Sequence, residues 1–434
     1  MIEETILLRT RSGKPIRAHV IKSQTAVTRS CAILVDGFGT GPGKLTRAIP
    51  KPLLPTHGTP FLDHLLVEVA RHGFTDVTLL AGHHGDQLQA YAGRRDIAGR
   101  AIHITVHVES KPMGTAGALL PLTGTPDDTL LLLNGNSWFD IDLRAFATGL
   151  PQWALARLAL NHWSNRARYG VVEFDSSSLI TRFVERNSSV EAGYINAGIC
   201  LLRRSLIERI TSTPCSLEGD IYPVLAQEGL IEAWPAEAFL IDIGIPEDYA
   251  TADQLIKKHC TRPAVFLDRD GVLNKDASGY SHKPEDLQWN NRAIEAVRLA
   301  NQSAWYVFVV TNQSGVARGY YDEAAVRRFH EQMDIELAAK GAHVDEFRYC
   351  PFHPEGTIAE YRRDAECRKP KPGMIIDLLR AWRIDVARSF LIGDKESDCM
   401  AAEAAGIRGY LFRGGDLCSE LYHAMDKHRS ARHI

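Results

Sequence analysis

Two rhythms of apolar residues run along this chain. Short, nearly continuous apolar runs recur as CAILV (31–35), TDVTLLAG (75–82), IHITVHVE (102–109) and TLLLLN (129–134), as expected of strands buried in a sheet. Between them lies PFLDHLLVEVARHGF (60–74), with apolar residues at helical spacing and a glycine stop. Strands alternating with helices predict an α/β domain built on a largely parallel sheet. Around 169–202 the pattern turns more strand-like (YGVVEFD, LITRFVER), then returns to helix near SLIERI and DIYPVLAQEG. Ahead of these, TILLRTRSGKPIRAHVI (5–21) alternates in part around a Ser-Gly-Lys turn, which predicts a hairpin covering a sheet edge.

The rhythm restarts at HCTRPAVFLDRDGVLN (259–274), directly after the helical stretch PEDYATADQLIKKH. WYVFVVTNQSG (305–315) and SFLIGDKESD (389–398) are two further strand-to-loop passages with helices between them. The pattern divides the chain into an N-terminal extension (1–30), a first α/β domain (31–257) and a second one (262–434). No low-complexity linker separates the two, so they are expected to touch.

Composition narrows the class without changing that picture. At 434 residues the chain is long enough for two or three domains. Apolar residues at 45% and charged residues at 24% are ordinary for a folded soluble protein, which excludes a disordered chain. A net charge of −3 offers no field for nucleic acid. No apolar run nears the about 18 residues that cross a bilayer. The opening MIEETILLRTRSGK lacks the apolar core of a secretory leader, and eight cysteines lie scattered without a disulfide pattern. A reducing cytoplasm is the expected compartment.

Candidate chemistry is densest in the second half, where three predicted strands end in polar residues. VFLDRDG supplies Asp268 and Asp270, VVTNQSG supplies Thr311 and Asn312, and LIGDKESD supplies Asp394 and Asp398. CRKPKPGM adds Arg368 and Lys369 from a loop entering a helix. Ligands bind at the carboxyl ends of strands in open parallel sheets, so these groups can share one site. A carboxylate can attack phosphorus, a second can protonate the leaving oxygen, and hard oxygens suit Mg²⁺. The ordered motifs D-x-D-G-V, T-N-Q-S-G, R-K-P and G-D-x-x-x-D resemble the haloacid dehalogenase superfamily over roughly 263–415. That resemblance implies a Rossmannoid domain with little cap. It implies Asp268 as nucleophile, Asp270 as general acid and base, and Thr311 and Lys369 on the phosphoryl group. Mg²⁺ would rest on Asp268, the carbonyl of Asp270, and Asp394, with Asp398 in the surrounding shell or at a helix N-terminus.

TNQSGVARG, YCPFHPEG and CRKPKPGM further resemble the D-glycero-D-manno-heptose 1,7-bisphosphate 7-phosphatases, with histidinol-phosphate phosphatases as the alternative. The loop 350–367 would then shape the substrate pocket, with Asn312 beside it and Arg368 meeting the 1-phosphate. Zinc-bearing relatives carry C-x-H followed by C-x-C there. This chain has Cys350, Phe352, Ala365 and Cys367, with His353 one residue out of register, so zinc is not expected.

The first half carries a Gly-rich loop, DGFGTGPGK (36–44), then PKPLLP, ESKPMGTAGALL, GYINAGICLL and FLIDIGIPEDYATA. As a set these resemble the sugar-1-phosphate nucleotidyltransferases over about 31–257, nearest to the D-glycero-D-manno-heptose 1-phosphate guanylyltransferases. The resemblance implies a Rossmann-type mixed sheet. It places Lys51 on phosphate, Gly114, Thr115 and Gly117 along the cleft, Glu185, Asn196 and Gly198 at the sugar, and Asp242 on Mg²⁺. The departures fall on the charges. Gly41 stands where the family has arginine, Asp36 is an added acid, Arg186 replaces a lysine, and Asn136 in NGNSWFDID replaces the metal aspartate. Each such group typically contributes a few kcal/mol to a transition state. Two readings stay open: an active enzyme compensated by Lys44, Asp140 or Asp142, or a domain that binds without catalysing.

Together the halves resemble consecutive steps of activated heptose synthesis. Sugar phosphates, and GTP with the α-anomer by resemblance, are the expected partners; nucleic acid and membrane are not, and a homo-oligomer stays open. His83-His84 is expected to open a surface helix, and HAMDKHRSARHI (423–434) to be a solvated tail.

Overall fold

The computed structural model describes residues 27–35, 49–82, 84–163, 170–184, 192–276 and 279–429, with the backbone of two strands at Glu3–Arg9 and Pro15–Ile21. Those two strands pair antiparallel, as the alternation predicts, and among the described residues they form a separate two-stranded sheet that is hydrogen-bonded to no other.

The first half is built on eight strands in the spatial order 231–236, 156–163, 193–203, 129–134, 30–34, 76–81, 100–108, 93–97. Strand Ser30–Leu34 is parallel to Asp76–Ala81 and to Thr129–Asn134, and Asp76–Ala81 is parallel to Arg100–Val108. Gly193–Arg203, however, runs antiparallel to Thr129–Asn134 and to Ala156–Trp163. The sheet is therefore mixed, as the resemblance to the nucleotidyltransferases implies, and not largely parallel as the strand–helix rhythm alone predicts. An antiparallel return needs no crossover helix, and here the small sheet Val171–Phe174/Ile180–Val184 fills the connection.

Side-chain alternation distributes the core. Cys31, Ile33, Leu131 and Leu133 face the helix Phe61–Arg71, while Ala32, Leu130 and Leu132 face the opposite side with Leu206 and Tyr222. That helix buries Phe61, Leu62, Leu65, Leu66 and Val69, the stripe its sequence spacing predicts.

The second half is a five-stranded, all-parallel sheet in the order 346–350, 306–312, 264–267, 390–393, 408–411. Ala264–Leu267, its central strand, is wholly buried: Val265 and Leu267 pack on one face, Ala264 and Phe266 on the other. The chain builds outward on one side of this strand, then crosses to the other side at Phe390–Gly393. A crevice therefore opens at the carboxyl end, beside Asp268.

The helix Pro246–Cys260 leads through Thr261–Pro263 into the central strand, and the halves touch through buried charges. Arg71 donates to Glu68 and to Asp345, each at 2.9 Å. Arg262 reaches Glu68 at 3.3 Å and also Asp140, and Arg100 meets Asp334 at 2.8 Å. One sequence expectation changes and another is met in part. The end of the chain is not a solvated tail as far as residue 429, because helix Leu417–Arg429 buries Leu421, Ala424 and Met425 against the second core. His84 does precede a helix, Gly85–Tyr91, in a left-handed conformation (φ 63°), and His83 lies outside the described residues.

Candidate active site

Asp268 leaves the central strand directly into the crevice and is 5% exposed. Lys369 Nζ lies 2.9 Å from Asp268 Oδ1 and 2.5 Å from Asp398 Oδ1, and donates to the carbonyl of Val310 at 2.8 Å. One buried ammonium thus ties three strand ends together. Its neighbours hold its backbone as well: Asn312 accepts from Lys369 N at 3.1 Å and donates to Lys369 O at 3.0 Å. Asp398 sits in the first turn of helix Glu396–Ala404, where Oδ2 accepts from Lys395 N.

Burial dominates the proton affinities. It raises Asp268 to about 7 against the pull of Lys369, with Asp398 and Asp270 adding to the rise. Burial also raises Asp394. For Lys369 burial pushes down, but Asp268 and Asp398 outweigh it and the ammonium is held. Asp270 is buried too, yet Arg269 overcomes that and lowers it. Arg269, fully buried, grips Asp270 with two bonds of 2.9 and 2.8 Å. Gln313 adds a bond to Asp270 at 2.8 Å and one to Thr311 Oγ1 at 2.9 Å, and Asn274 donates to Asp270 at 3.1 Å.

A metal fits beside Asp268. Carboxylate oxygens of Asp268, Asp394 and Asp398 lie within 4.8 Å of one another, and Asp394 Oδ1 is buried with no hydrogen-bond partner. Asp398 is already committed to Lys369 and Lys395, which leaves Asp268 and Asp394 to face an ion. Gly271, at φ +88°, makes room: a Cβ there would lie 2.5 Å from Asp394 Oδ2.

Asp268, Lys369 and Asp398 line a cavity of about 310 Å³ together with Asp270, Thr311, Asn312 and Arg368. No residue of 350–367 lines it, contrary to the expected role of that loop. Ile358 and Tyr361 instead line a separate cavity of about 770 Å³, which holds none of the four aspartates. The loop acts on the site indirectly, because Phe352 O accepts from Arg368 at 3.3 Å. Cys350 and Cys367 approach to 2.8 Å between sulfurs, while His353 turns to Glu355 N and Arg318. Two sulfurs alone do not make a structural zinc site.

In the first half a cleft of about 560 Å³ is lined by Asn134, Ser137, Asn196, Gly198, Glu218 and Asp242, among others. Asn136 Nδ2 donates to Asp242 Oδ1 at 2.7 Å, and Gly244 N donates to the same oxygen at 2.8 Å. Burial raises Asp242, and these two donors and Lys51 partly oppose it.

Residues 31–259 match the nucleotidyl transferase family and residues 366–432 a HAD-hydrolase-like family. The chain belongs to the nucleotidyl transferase family. Its second half is similar to the D-glycero-beta-D-manno-heptose-1,7-bisphosphate 7-phosphatase of Rhodopseudomonas palustris, 51% identical over 156 residues, covering 36% of this chain and 86% of the relative. The protein of that name from Escherichia coli K12 is 42% identical over 145 residues, covering 33% and 75%. Among solved structures, HddC of Yersinia pseudotuberculosis is 24% identical with a TM-score of 0.47, covering 53% of this chain and all of that one. The chain is thus an enzyme, a phosphomonoesterase carrying a nucleotidyl transferase domain.

Within the nucleotidyl transferase domain the expected residues do not all meet. Asn196, Gly198 and Asp242 line the cleft, and the charge of Lys51 reaches Asp242. Gly114 and Thr115 do not line it. Gly114 (φ +78°) packs against the backbone of Cys215, and Thr115 bonds Leu217 N and Glu218, each at 2.8 Å, so both anchor a segment that does line it. Gly117 is buried near Thr213. Glu185, Arg186 and the whole loop 36–48, with Asp36, Gly41 and Lys44, lie outside the described residues. Asp140 is engaged by Arg262, Asp142 caps the helix Leu143–Phe146, and neither lines the cleft that holds Asp242. In the phosphatase half, sequence reasoning missed Arg269 and Gln313. Both sit inside quoted motifs, and an arginine between two aspartates was the available signal.

No helix among the described residues is long and apolar enough to cross a membrane.

Proposed function

We propose that the second half removes the 7-phosphate of a D-glycero-D-manno-heptose 1,7-bisphosphate, within nucleotide-activated heptose biosynthesis. The observation that carries this is the convergence of Asp268, Asp270 and Lys369 in one cavity with Arg368 on its wall, and with a carboxylate oxygen of Asp394 within 4.8 Å of Asp268. Similarity to phosphatases of that name supplies the substrate class.

Asp268 is the nucleophile. Its oxygen bonds to phosphorus as the P–O7 bond breaks, and the leaving sugar oxygen takes a proton from Asp270. Water then attacks the aspartyl-phosphate, giving its proton back to Asp270, and releases inorganic phosphate and the Asp268 carboxylate. Arg269 keeps Asp270 deprotonated in the empty site. An entering phosphate dianion raises its proton affinity, since like charges disfavour the carboxylate. Thr311 and Lys369 hold phosphoryl oxygens, Asn312 fixes Lys369, and Arg368 meets the second phosphate. Asp268, Asp394 and the carbonyl of Asp270 would hold Mg²⁺, which when bound neutralises phosphate charge. The eight free cysteines support a reducing, cytoplasmic setting.

The Asn136–Asp242 bond favours a second reading for the first half: a cleft that binds a sugar phosphate or nucleotide, such as GTP, without catalysing transfer. Two facing carboxylates would require a cation; an amide donor removes that requirement.

A substrate panel tests the phosphatase, with Asp268→Asn as the blank. Both anomers of heptose 1,7-bisphosphate, histidinol phosphate and simple phosphomonoesters would be compared. The bisphosphates should be preferred, and the relatives named for the β-anomer set that against the α-anomer implied by the fusion. Clear preference for histidinol phosphate or another monophosphate would overturn the assignment.

A further inference from the structure

Cys350 ends the strand Glu346–Cys350, and Cys367 directly precedes Arg368 and Lys369 in the turn that enters the helix Gly373–Ala381. Their sulfurs lie 2.8 Å apart. Both belong to the apolar cluster of Met374 and Ile375. Among the described residues no third His, Cys, Asp or Glu ligand atom joins them, and His353 Nδ1 instead accepts from Glu355 N at 3.1 Å. The pair is therefore two facing thiols and nothing more.

The two thiols are not equivalent. Cys350 is 0% exposed, whereas Cys367 is partly exposed. Between them Cys350 keeps the proton. Its thiol is pushed up by the bond to Cys367 and by burial, while the same bond pushes Cys367 down. Burial raises the thiols of Cys31, Cys200, Cys215, Cys260, Cys399 and Cys418. The thiolate is the nucleophilic form of cysteine, so Cys367 is the sulfur most ready to react, and it is open to a small reagent.

The backbone is held on both sides. Arg368 N donates to Ala365 O and Gly373 N to Glu366 O, each at 3.0 Å, which folds the segment of Cys367 into a tight turn. Cys350 O accepts from Gln313 N at 2.8 Å. A disulfide of about 2.05 Å asks the sulfurs to close by less than an ångström.

We propose that Cys350 and Cys367 are an oxidation site for hydrogen peroxide that closes reversibly into a disulfide beside the phosphatase cavity. The Cys367 sulfur attacks one peroxide oxygen; the O–O bond breaks and hydroxide leaves, giving a sulfenic acid. The Cys350 sulfur then attacks the Cys367 sulfur; the S–S bond forms, the S–O bond breaks and a second hydroxide leaves. The two thiol protons turn both hydroxides into water, so the thiols lose two electrons and the peroxide gains them. Disulfides of reducing compartments are usually transient and redox-sensing, which matches a pair that is reduced at rest. The bond ties the turn carrying Arg368 and Lys369 to the strand end whose carbonyl holds Gln313. It does not depend on which phosphate ester the cavity accepts.

The test is thiol mapping of the full chain after brief exposure to hydrogen peroxide, with free thiols alkylated under denaturing conditions and read by mass spectrometry. In the wild type six of the eight thiols should alkylate, with Cys350 and Cys367 recovered as one linked pair. Dithiothreitol should return all eight, which separates the disulfide from irreversible sulfinic acid. In Cys350→Ser, dimedone should trap Cys367 as the sulfenic acid. In Cys367→Ser, Cys350 should stay reduced at the same dose. Full alkylation of both Cys350 and Cys367 in the wild type, whichever other cysteines oxidise, would overturn the proposal. So would oxidation of Cys350 in Cys367→Ser as fast as in the wild type. If either variant does not fold, the wild-type map decides by itself.

Discussion

Asn136 donates its side-chain amide across 2.7 Å to Asp242, which lines the nucleotidyl transferase cleft. The pair is satisfied without an ion, which makes Asn136→Asp informative. Two carboxylates would then face each other in a buried setting, and the variant should lose about 1–3 kcal/mol of stability without metal. Mg²⁺ should restore more stability to Asn136→Asp than it adds to the wild type. Thermal unfolding with and without Mg²⁺ checks this; equal shifts in the two proteins would show that no ion enters between residues 136 and 242.

Lys369 compensates two buried carboxylates, Asp268 and Asp398. Lys369→Met leaves both without a counter-charge, a change that costs about 3–5 kcal/mol in comparable buried pairs. Phosphatase turnover should fall by about 10²–10³-fold, as for loss of a charged transition-state contact. Steady-state kinetics beside a denaturation curve separates the two effects.

Gly271 adopts φ +88°, and a Cβ there would lie 2.5 Å from Asp394 Oδ2. Gly271→Ala should therefore displace the Asp394 carboxylate, a proposed Mg²⁺ ligand, without touching its charge. The Mg²⁺ concentration giving half-maximal phosphatase activity should rise by about tenfold or more. A Mg²⁺ titration at saturating substrate reads it directly.

These local features were legible because each lies within a few residues of a strand end. D-x-D-G, T-N-Q-S-G and G-D-x-x-x-D announce their own geometry, and a parallel sheet brings them together. The Asp270 network was half legible: Arg269 and Gln313 were in view, but their direction was not. The absence of a linker announced that the halves touch, but the residues that meet were not legible. Arg71 and His343 are 272 residues apart, and no periodicity links them. The antiparallel strand Gly193–Arg203 was hidden likewise, since a short apolar run does not disclose its direction.

Asp345 reports on the contact between the halves through pH. Burial alone would raise it, but Arg71 overcomes this and lowers it from 3.8 to about 2. Folded Asp345 binds its proton more weakly than unfolded, so its contribution is complete above about pH 4 and is lost as pH falls toward 2. The size is about 2 kcal/mol. Asp345→Asn should flatten the pH dependence of unfolding in that window, leaving it unchanged near neutrality.

The most direct measurement supplies the wild-type protein with Mg²⁺, heptose 1,7-bisphosphate and GTP, following inorganic phosphate and pyrophosphate separately. Phosphate release abolished by Asp268→Asn, with no pyrophosphate above background, is the predicted result. Pyrophosphate formed at a rate comparable to phosphate would contradict the metal-free reading of Asn136 and Asp242. Absence of phosphate release would contradict the phosphatase assignment itself.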